Sequence, residues 1–334
     1  MNYLTTLEAD LIYNKLISAK NIVLTGHLNP DGDCIGANLA VYIFLKNLNL
    51  NVNFFLPNDF PEFLNWLPCS NVIKIFEPDN KLHKQIFENA EIIFLIDYND
   101  IKRVGNMGEH IEKSKAYKIM LDHHPLPQPI CDFSISDINA SSASEITFHF
   151  LKQLNNQYID KDIAETIFTG ILMDTGIFNF NSSNPETYIT VAELLKIGAD
   201  KQKIIHNIYN TSSENRLRLL GFILNKMQIF HKKRTAMFSL SKSELAQFEY
   251  KPGDTEGFVN IPLTVKDINF SIFFMESDNH IKVSLRSHGD FDVNDFARKH
   301  YKGGGHKNAA GGKSFKSLNT TISEFENILN NLDI

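Results

Sequence analysis

Seven histidine and aspartate side chains, spread over four short segments, have the types and the spacing of metal ligands. The segments are "HLNPDGD" (27–33), "LIDYNDIKRVG" (95–105), "LDHHP" (121–125) and "GILMDTGIF" (170–178), and the residues are His27, Asp31, Asp33, Asp97, His123, His124 and Asp174. Carboxylates gathered in one cleft would repel one another unless a multivalent cation lay between them. Carboxylate and imidazole together suit manganese, iron or zinc better than calcium. Two ions are the economical number for such a set once positions for water and substrate are left open.

Taken alone, "HLNPDGD" is better explained as a turn. Asn-Pro and Asp-Gly are turn formers, and acidic residues near a helix N-terminus complement the helix dipole. The metal-site interpretation therefore depends on the other three segments. Asp31 and Asp33 flank Gly32, so one tight loop would direct two carboxylates at two neighbouring ions.

Three of the segments follow apolar runs of strand length. The strand-like runs are "NIVLT" (21–25), "VNFFL" (52–56), "EIIFLI" (91–96) and "YKIML" (117–121), and a helical pattern covers about residues 35–48. Strands that alternate with helices and are apolar throughout predict a parallel α/β sheet with helices on both faces. His27, Asp97 and His123 come just after three of these strands, where the ligand crevice of such a sheet lies.

A helix predicted over residues 160–174 positions the remaining aspartate. Ile163, Ile167 and Ile171 recur every four residues and form a stripe that must face the core. Asp174 lies three residues beyond Ile171 and extends that stripe. A carboxylate on the buried side of a helix is costly unless it is paired or binds a cation, so we expect Asp174 to join the metal ligands.

The length of 334 residues predicts two domains. Residues 1–198 form the first, and residues 199–213 are predicted to be a linker that ends in the capping-box signature "TSSE" (211–214). Residues 214–334 form a smaller α/β domain, with strand-like runs at 234–240, 269–275 and 280–286, a helix near 293–300 and the segment "GGGHKNAAGG" (303–312). These glycines permit close backbone approach to a ligand, although a tight exposed turn is an equal alternative.

The amino-acid composition and charge limit the kinds of partner that the protein can bind. The net charge of −6 is unfavourable for binding long duplex DNA, so any nucleic-acid substrate should be short. The apolar runs fall far short of the roughly 20 residues that span a bilayer, and the N-terminus lacks a secretory signal, so we expect a cytoplasmic protein with no membrane partner. Cys34, Cys69 and Cys131 lack CxxC spacing and are expected to be small apolar residues.

The four segments, in this order and at this spacing, resemble the four motifs of the DHH phosphoesterases. "GGGHKNAAGG" resembles the glycine-rich motif of the DHHA1 domain found in one branch of that superfamily. Within it, the sequence is most similar to the stand-alone oligoribonucleases, or nanoRNases, that also remove the 3′-phosphate of adenosine 3′,5′-bisphosphate (pAp). The first motif usually closes with Gly-Ser but here reads Gly36-Ala37, so a hydroxyl is missing while every predicted metal ligand is present.

The resemblance implies two divalent ions, for which the family suggests manganese, bridged by Asp97. One ion would be held by His27, Asp31 and Asp97, and the other by Asp33, Asp97, His123 and Asp174. The catalytic residues implied are Asp31, Asp33, Asp97, His123 and His124. His124 would contact the phosphate being cleaved, and Asp122 would orient an imidazole.

The resemblance also implies a substrate-binding role for the second domain. The residues concerned are Arg286, Gly303, Gly304, Gly305 and His306. Arg286 carries a guanidinium suited to forked contact with a terminal phosphate.

In the first domain, an ordinary surface ion pair is the preferred explanation for Arg103, and Asp100 either supports the metal loop or begins a turn.

The activity implied is metal-dependent phosphoester hydrolysis without a covalent enzyme intermediate. The substrates would be short single-stranded oligoribonucleotides of about two to five nucleotides, degraded to mononucleotides, together with pAp; a homodimer is compatible with this activity. The enzymatic alternatives are a cyclic-dinucleotide or pApA phosphodiesterase and a pyro- or polyphosphatase. The non-enzymatic alternative is a non-catalytic nucleotide-binding module, against which the complete ligand set argues.

Overall fold

The computed structural model describes residues 1–332. The chain forms two compact units, the first covering Met1–Thr211 and the second beginning at Ser212. The predicted second domain, 214–334, extends by its last two residues beyond the described part of the chain. Among the described helices, none combines the length and the apolar character needed to cross a bilayer.

The first unit is built on a six-stranded sheet whose neighbouring strands all run parallel. The strands are β1 (Ile22–Thr25), β2 (Val52–Leu56), β3 (Ile73–Ile75), β4 (Ile92–Ile96), β5 (Tyr117–Asp122) and β6 (Phe133–Ser136). Their order across the sheet is β3-β2-β1-β4-β5-β6. The predicted parallel α/β fold is confirmed. The sequence pattern missed the edge strands β3 and β6, because their partly exposed side chains form no continuous apolar run.

Helices cover both faces of this sheet. They are α1 (Thr6–Ser18), α2 (Gly32–Asn47), α3 (Lys81–Glu88), α4 (Gly108–Lys113), α5 (Ala143–Asn155), α6 (Lys161–Asp174), α7 (Pro185–Ile197) and α8 (Lys201–Tyr209). Leu24 and Phe94 pack in one core with α1, α2, α5 and α6, whereas Val23 and Ile93 pack in a second core with α3 and α4. Because alternate residues serve opposite buried faces, the central strands are mainly apolar on both faces.

Glycines allow α6 to lie close against α2 and α5. An added Cβ on Gly36 of α2 would lie 2.4 Å from the Thr166 carbonyl oxygen of α6. An added Cβ on Gly170 of α6 would lie 1.9 Å from Ser144 Oγ of α5. Since real Cβ atoms do not approach so closely, larger residues would force these helices apart. This close packing brings the C-terminal end of α6 to the sheet.

The predicted linker, residues 199–213, contains a packed helix. α8 lies within that range, and Lys203 Nζ on it is 2.6 Å from the buried Glu165 carboxylate of α6. The predicted helix cap at Thr211 is wrong, because the hydroxyl that accepts a backbone N–H at the start of the next helix belongs to Ser213. Only residues 199–200 and 210–213 of the range lie outside this helix.

The second unit is a mixed sheet with helices packed on it, and the predicted smaller α/β domain is confirmed. Its helices are α9 (Glu214–Asn225), α10 (Lys242–Gln247), α11 (Val293–His300) and α12 (Leu318–Asn330). Its strands are β7 (Gln228–Phe230), β8 (Thr235–Leu240), β9 (Phe270–Glu276), β10 (Ile281–Ser287), β11 (Gly304–His306) and β12 (Ala309–Ser314). The order is β11-β12-β10-β9-β8-β7, with β8 and β9 parallel and the other pairs antiparallel.

Candidate metal centre

The ends of three neighbouring strands bring the predicted residues together. The chain runs from β1 outward to β2 and β3 and then returns to β4 on the other side of β1. His27 follows β1, Asp97 follows β4 and His123 follows β5. In an open parallel sheet the ligand crevice lies beyond the carboxyl ends of the strands, where the strand order reverses in this way.

The loop between β1 and α2 is held by its own aspartate and by a neighbouring segment. Asp31 Oδ1 accepts the backbone N–H groups of Asp33 and Cys34, each at 3.1 Å. This cap explains why α2 begins three residues before the predicted start. Leu28 N–H donates to the Arg103 carbonyl oxygen at 2.6 Å and ties the loop to the segment after β4.

The start of α5 fixes the direction of the Asp33 carboxylate. Asp33 is 1% exposed, and its two oxygens accept the N–H groups of Ala143 at 2.7 Å and Ser144 at 2.8 Å. The first N–H groups of a helix have no partner within it and favour a negative charge. The sequence analysis missed this contact. The serine-rich stretch 141–145 does signal a helix start, with Ser142 as its cap, but nothing local names Asp33 as its partner.

Asp97 stands between two groups of predicted ligands. Its Oδ2 is 3.2 Å from His27 Nε2, whereas its Oδ1 is 3.7 Å from His123 Nε2. Its φ of 64° lies in the left-handed region, which aspartate tolerates better than most residues. Oδ1 is buried and accepts no hydrogen bond from the described residues. A buried oxygen without a donor is costly, and a bound cation would remove that cost.

The other predicted ligands surround the two imidazoles. Asp31 Oδ1 is 4.0 Å from His27 Nε2. His123 Nε2 lies 3.8 Å from Asp33 Oδ2 and 3.8 Å from Asp174 Oδ2. All six residues predicted as metal ligands thus lie together within the first unit, arranged around the two oxygens of Asp97. Their role as ligands stays a prediction.

The protonation of His27 fits a metal ligand. Its Nδ1 is 2.9 Å from the Leu28 carbonyl oxygen, and because that oxygen can only accept, Nδ1 carries the hydrogen. Burial, and next the positive charge of Arg103, lower the pKa of His27 to about 4. The ring is then neutral at pH 7, and its Nε2 lone pair faces the Asp97 carboxylate. A cation bound between the two groups would accept an electron pair from each of them.

Burial also opposes the negative charge of the neighbouring carboxylates. It raises the pKa of Asp33 to about 7, with the Asp31 charge as the next cause. The pKa of Asp97 is raised well above its ordinary value by burial and then by Asp33. Burial lowers the pKa of His123. Burial thus favours the protonated form of these acids, and a divalent cation would favour the ionised form and displace the proton.

Asp122 orients His124, the second histidine of the "LDHHP" segment. Its two oxygens lie 2.8 Å from His124 Nδ1 and 2.8 Å from the His124 backbone N–H. Asn99, which the sequence analysis did not single out, donates its side-chain amide to the carbonyl oxygens of His124 at 3.0 Å and Pro125 at 3.2 Å. The residues after β5 are therefore anchored on both sides.

Two ambiguous residues of the second segment have different surroundings. Asp100 Oδ1 accepts the Lys102 N–H at 2.9 Å and begins a turn. Arg103 is half-buried, and its charge acts on the pKa values of His27, Asp97 and other buried groups of the centre. The preferred explanation of Arg103 as a surface ion pair is wrong, since no acidic residue of the described chain pairs with it.

In the second unit, two of the predicted substrate residues share one row of the sheet. Arg286 on β10 is opposite Ala309 on β12, and His306 on β11 is opposite the same Ala309. Directly opposed residues project from the same face of a sheet. Arg286 and His306 therefore point to one side, about 10 Å apart by the usual strand spacing.

The glycines of the segment 303–312 have structural roles of their own. An added Cβ on Gly303 would lie 1.9 Å from the carbonyl oxygen of Gly311. An added Cβ on Gly305 would lie 2.5 Å from the carbonyl oxygen of Ala309. These two glycines let β11 approach β12. An added Cβ on Gly304 would have its nearest neighbour at 3.4 Å. A contact of all three with substrate stays a prediction.

Comparison with known proteins agrees with this geometry. Residues 21–171 match the DHH family, N-terminal domain, and residues 236–332 match the DHHA1 domain. The chain is 28% identical, over 87% of its length and 88% of the relative's, to a bifunctional oligoribonuclease and PAP phosphatase, NrnA, of Bacillus subtilis (strain 168). A solved exopolyphosphatase-related protein from Bacteroides fragilis is 38% identical and superposes with a TM-score of 0.93, covering 99% of this chain and 98% of that one.

A more distant solved structure shares the fold alone. RecJ from Thermus thermophilus in complex with Mn²⁺ is 12% identical, has a TM-score of 0.59 and covers 98% of this chain and 55% of RecJ. With the family matches and the site geometry together, the resemblance drawn from the motifs is confirmed. The chain belongs to the DHH family of metal-dependent phosphoesterases and carries a DHHA1 domain.

Proposed function

We propose that the protein hydrolyses the phosphodiester bonds of short single-stranded oligoribonucleotides and removes the 3′-phosphate of pAp. Two divalent cations would assist, and manganese suits the nitrogen and oxygen donors. The Bacillus subtilis relative, named as an oligoribonuclease and PAP phosphatase, supports this choice of substrates over 87% of the chain. The cytoplasmic location and the homodimer remain predictions.

The observation that carries the proposal is the position of Asp97. Its two oxygens face different imidazoles, with His27 at 3.2 Å from Oδ2 and His123 at 3.7 Å from Oδ1. One carboxylate between two imidazoles, each with further carboxylates nearby, suits a pair of cations. A single ion would leave one of the two groups without a role.

The chain's own residues would hold and orient the substrate phosphate. When bound, the two cations would lower the pKa of a water molecule and neutralise charge on the phosphoryl oxygens. Asp122 holds the His124 ring through Nδ1 at 2.8 Å, and the protonated ring would donate a hydrogen bond from Nε2 to a phosphoryl oxygen. Arg103 would add positive charge beside the reacting phosphate.

The second unit would supply substrate selectivity. Arg286 and His306 project from one face of its sheet, in one row. A guanidinium binds a terminal phosphate through two parallel hydrogen bonds, and an imidazole stacks on a base. This pair would recognise a nucleotide that carries a terminal phosphate, which short oligonucleotides and pAp share.

A polyphosphatase is the second candidate. The Bacteroides fragilis protein, 38% identical over 99% of this chain, is described as exopolyphosphatase-related. Polyphosphate has terminal phosphates but no base. Arg286 would therefore bind both classes of substrate, whereas a residue that stacks on a base would bind only nucleotides. Comparing the two substrate classes on one preparation separates these functions.

The proposal is tested by hydrolysis with manganese present. The substrates are di-, tri- and pentaribonucleotides, pAp, pApA, pyrophosphate and polyphosphate, and the products are resolved by ion-exchange chromatography. We expect mononucleotides from the oligonucleotides, AMP from pAp, and loss of both reactions on chelation. Asp97→Asn should lower kcat more than about 100-fold, because it weakens both groups of ligands at once.

A matched substitution controls for the loss of one negative charge. Asp10 is exposed on α1, and Asp10→Asn should keep the parental rate. If Asp97→Asn turned over as fast as Asp10→Asn, or if none of the nucleotides were cleaved, the proposed activity would be wrong. Cleavage of polyphosphate alone would favour the second candidate.

A further inference from the structure

A cysteine lies against the first group of ligands. Cys34 Sγ, a ring nitrogen of His27 and a carboxylate oxygen of Asp97 are within 4.8 Å of one another, and all three residues are buried. The sequence predicted the cysteines as small apolar residues. That prediction is wrong for Cys69, which is exposed; Cys34 is buried in the core, as predicted, and its sulfur also lies near ligand-type atoms.

The local fold carries the sulfur to this position. Cys34 lies in the first turn of α2, and Gly26 lies at the end of β1 just before His27. An added Cβ on Gly26 would be 2.4 Å from Cys34 Sγ. The missing side chain therefore leaves the space that the thiol occupies, and α2 holds the sulfur against the strand end.

The sulfur has polar neighbours that an ordinary core thiol does not need. The Asn38 side-chain amide donates to Cys34 Sγ at 3.9 Å. Hydrogen bonds from N–H groups to sulfur surround metal-bound thiolates in proteins and tune the metal. Burial, and next the charge of Asp97, raise the pKa of the Cys34 thiol, so a bound cation would have to displace its proton.

The three donors together select a class of cation. Imidazole, carboxylate and thiolate are the ligands of zinc in proteins. Soft thiolate favours zinc, cadmium and cobalt over manganese and magnesium, which prefer oxygen. The second group of ligands, Asp33, His123 and Asp174, offers nitrogen and oxygen only. The two groups therefore differ in softness.

We infer that Cys34 is a third ligand, with His27 and Asp97, for a thiophilic divalent cation such as zinc. Binding forms a metal–sulfur bond and releases the thiol proton to solvent, without any oxidant or reductant. The consequence rests on the proposed function: the thiophilic cation occupies the first group in place of the activating cation and lowers the rate of hydrolysis.

Cobalt(II) is the probe, because thiolate coordination adds a sulfur-to-cobalt charge-transfer band in the near ultraviolet. The chain has three cysteines, so full-length protein with Cys69→Ser and Cys131→Ser keeps Cys34 as its only thiol. We expect this variant to develop the band on addition of cobalt and to lose it on addition of zinc. A further Cys34→Ser substitution should abolish the band.

Zinc inhibition supplies a second measurement. The zinc concentration that halves manganese-dependent hydrolysis should rise at least about tenfold when Cys34→Ser is added to the double variant. Cys34→Ala replaces the serine variant if the buried hydroxyl disturbs folding. A band that survives without Cys34, or no band in the variant that keeps it, overturns the inference. A band without any nucleotide hydrolysis would support the sulfur ligand while the proposed function fails.

Discussion

Burial acts in opposite directions on two titratable residues of the centre. The pKa of His27 is lowered from 6.5 to about 4, whereas that of Asp33 is raised from 3.8 to about 7, with burial as the largest cause in both. Folded Asp33 binds its proton more tightly than unfolded Asp33, so its stabilising contribution is lost as the pH rises from about 4 to about 7. Folded His27 binds its proton more weakly, so the destabilisation it causes disappears as the pH rises to about 6.5.

We therefore predict opposite pH dependences for two substitutions in the metal-free protein. Between about pH 4 and pH 7 the parent loses the stabilisation that comes from protonated Asp33, and Asp33→Asn has no such loss. The free energy of unfolding of Asp33→Asn should therefore rise relative to that of the parent over this range. The free energy of unfolding of His27→Gln should fall relative to that of the parent over the same range, because the parent is relieved of the destabilisation caused by His27 and the variant is not. Urea denaturation at several pH values in the presence of a chelator measures both. Slopes of the same sign would contradict the two pKa shifts.

At the scale of elements, Gly170 is the residue at which α6 packs closely against α5 and Asp33. An added Cβ on Gly170 would meet Ser144 Oγ at 1.9 Å and Asp33 Oδ1 at 3.0 Å. Ser144 N–H is also the donor that holds Asp33 Oδ1 at 2.8 Å. The contact between α5 and α6 and the orientation of Asp33 therefore depend on the same small space.

Gly170→Ala should lower the free energy of unfolding by about 1–3 kcal/mol, because it overpacks this contact, and it should weaken manganese binding by moving Asp33. Gly221 on α9 is the control, since an added Cβ there has no neighbour within 4 Å. Gly221→Ala should stabilise by about 0.4–1 kcal/mol. Denaturant unfolding and manganese titration check both. Equal effects of the two substitutions would mean that Gly170 has no packing role.

Combining Gly170→Ala with Ser144→Gly provides a rescue. Ser144 supplies the side-chain atoms that the new methyl group would meet, so their removal should restore part of the lost stability and manganese affinity. The coupling energy of this double-mutant cycle is expected to be about 0.5–3 kcal/mol. Purely additive losses would show that the two residues do not interact.

At the scale of the whole molecule, the predicted functional residues are distributed over both units. The first holds all the predicted metal ligands, while Arg286 and His306 belong to the second, which begins at Ser212. Under the proposed function, chemistry and substrate selection are then separable by substitution. A change in the second unit should alter KM and substrate preference more than kcat, because it affects binding of a non-reacting part of the substrate.

Arg286→Gln tests this division. We expect KM for pAp to rise about 10- to 100-fold, since a hydrogen bond to a charged group contributes about 1.5–3 kcal/mol, with a smaller change in kcat. Lys282 lies four residues away on the same face of β10 and is exposed, so Lys282→Gln is the control for the lost charge. Steady-state kinetics on pAp measure both variants. A fall in kcat without a change in KM would place Arg286 outside phosphate binding.

Much of the centre follows from local sequence signals. The runs before His27, Asp97 and His123 are mainly apolar because their strands are buried on both faces, and that composition predicts parallel strands. Asp174 extends an apolar helix stripe and lies at the end of α6, as predicted. These features depend on neighbours in sequence, so the sequence by itself determined the donors and the edge of the sheet that holds them.

Other features depend on contacts between residues far apart in sequence. Only the tertiary structure decided that the two oxygens of Asp97 face different histidines, that the start of α5 holds Asp33, and that Cys34 Sγ lies within 4.8 Å of ligand-type atoms of His27 and Asp97. Strand pairing and the closeness of helices at Gly36 and Gly170 set these distances. Such contacts are fixed by packing of the whole unit to within about an ångström, and hydrophobic periodicity carries no information at that precision.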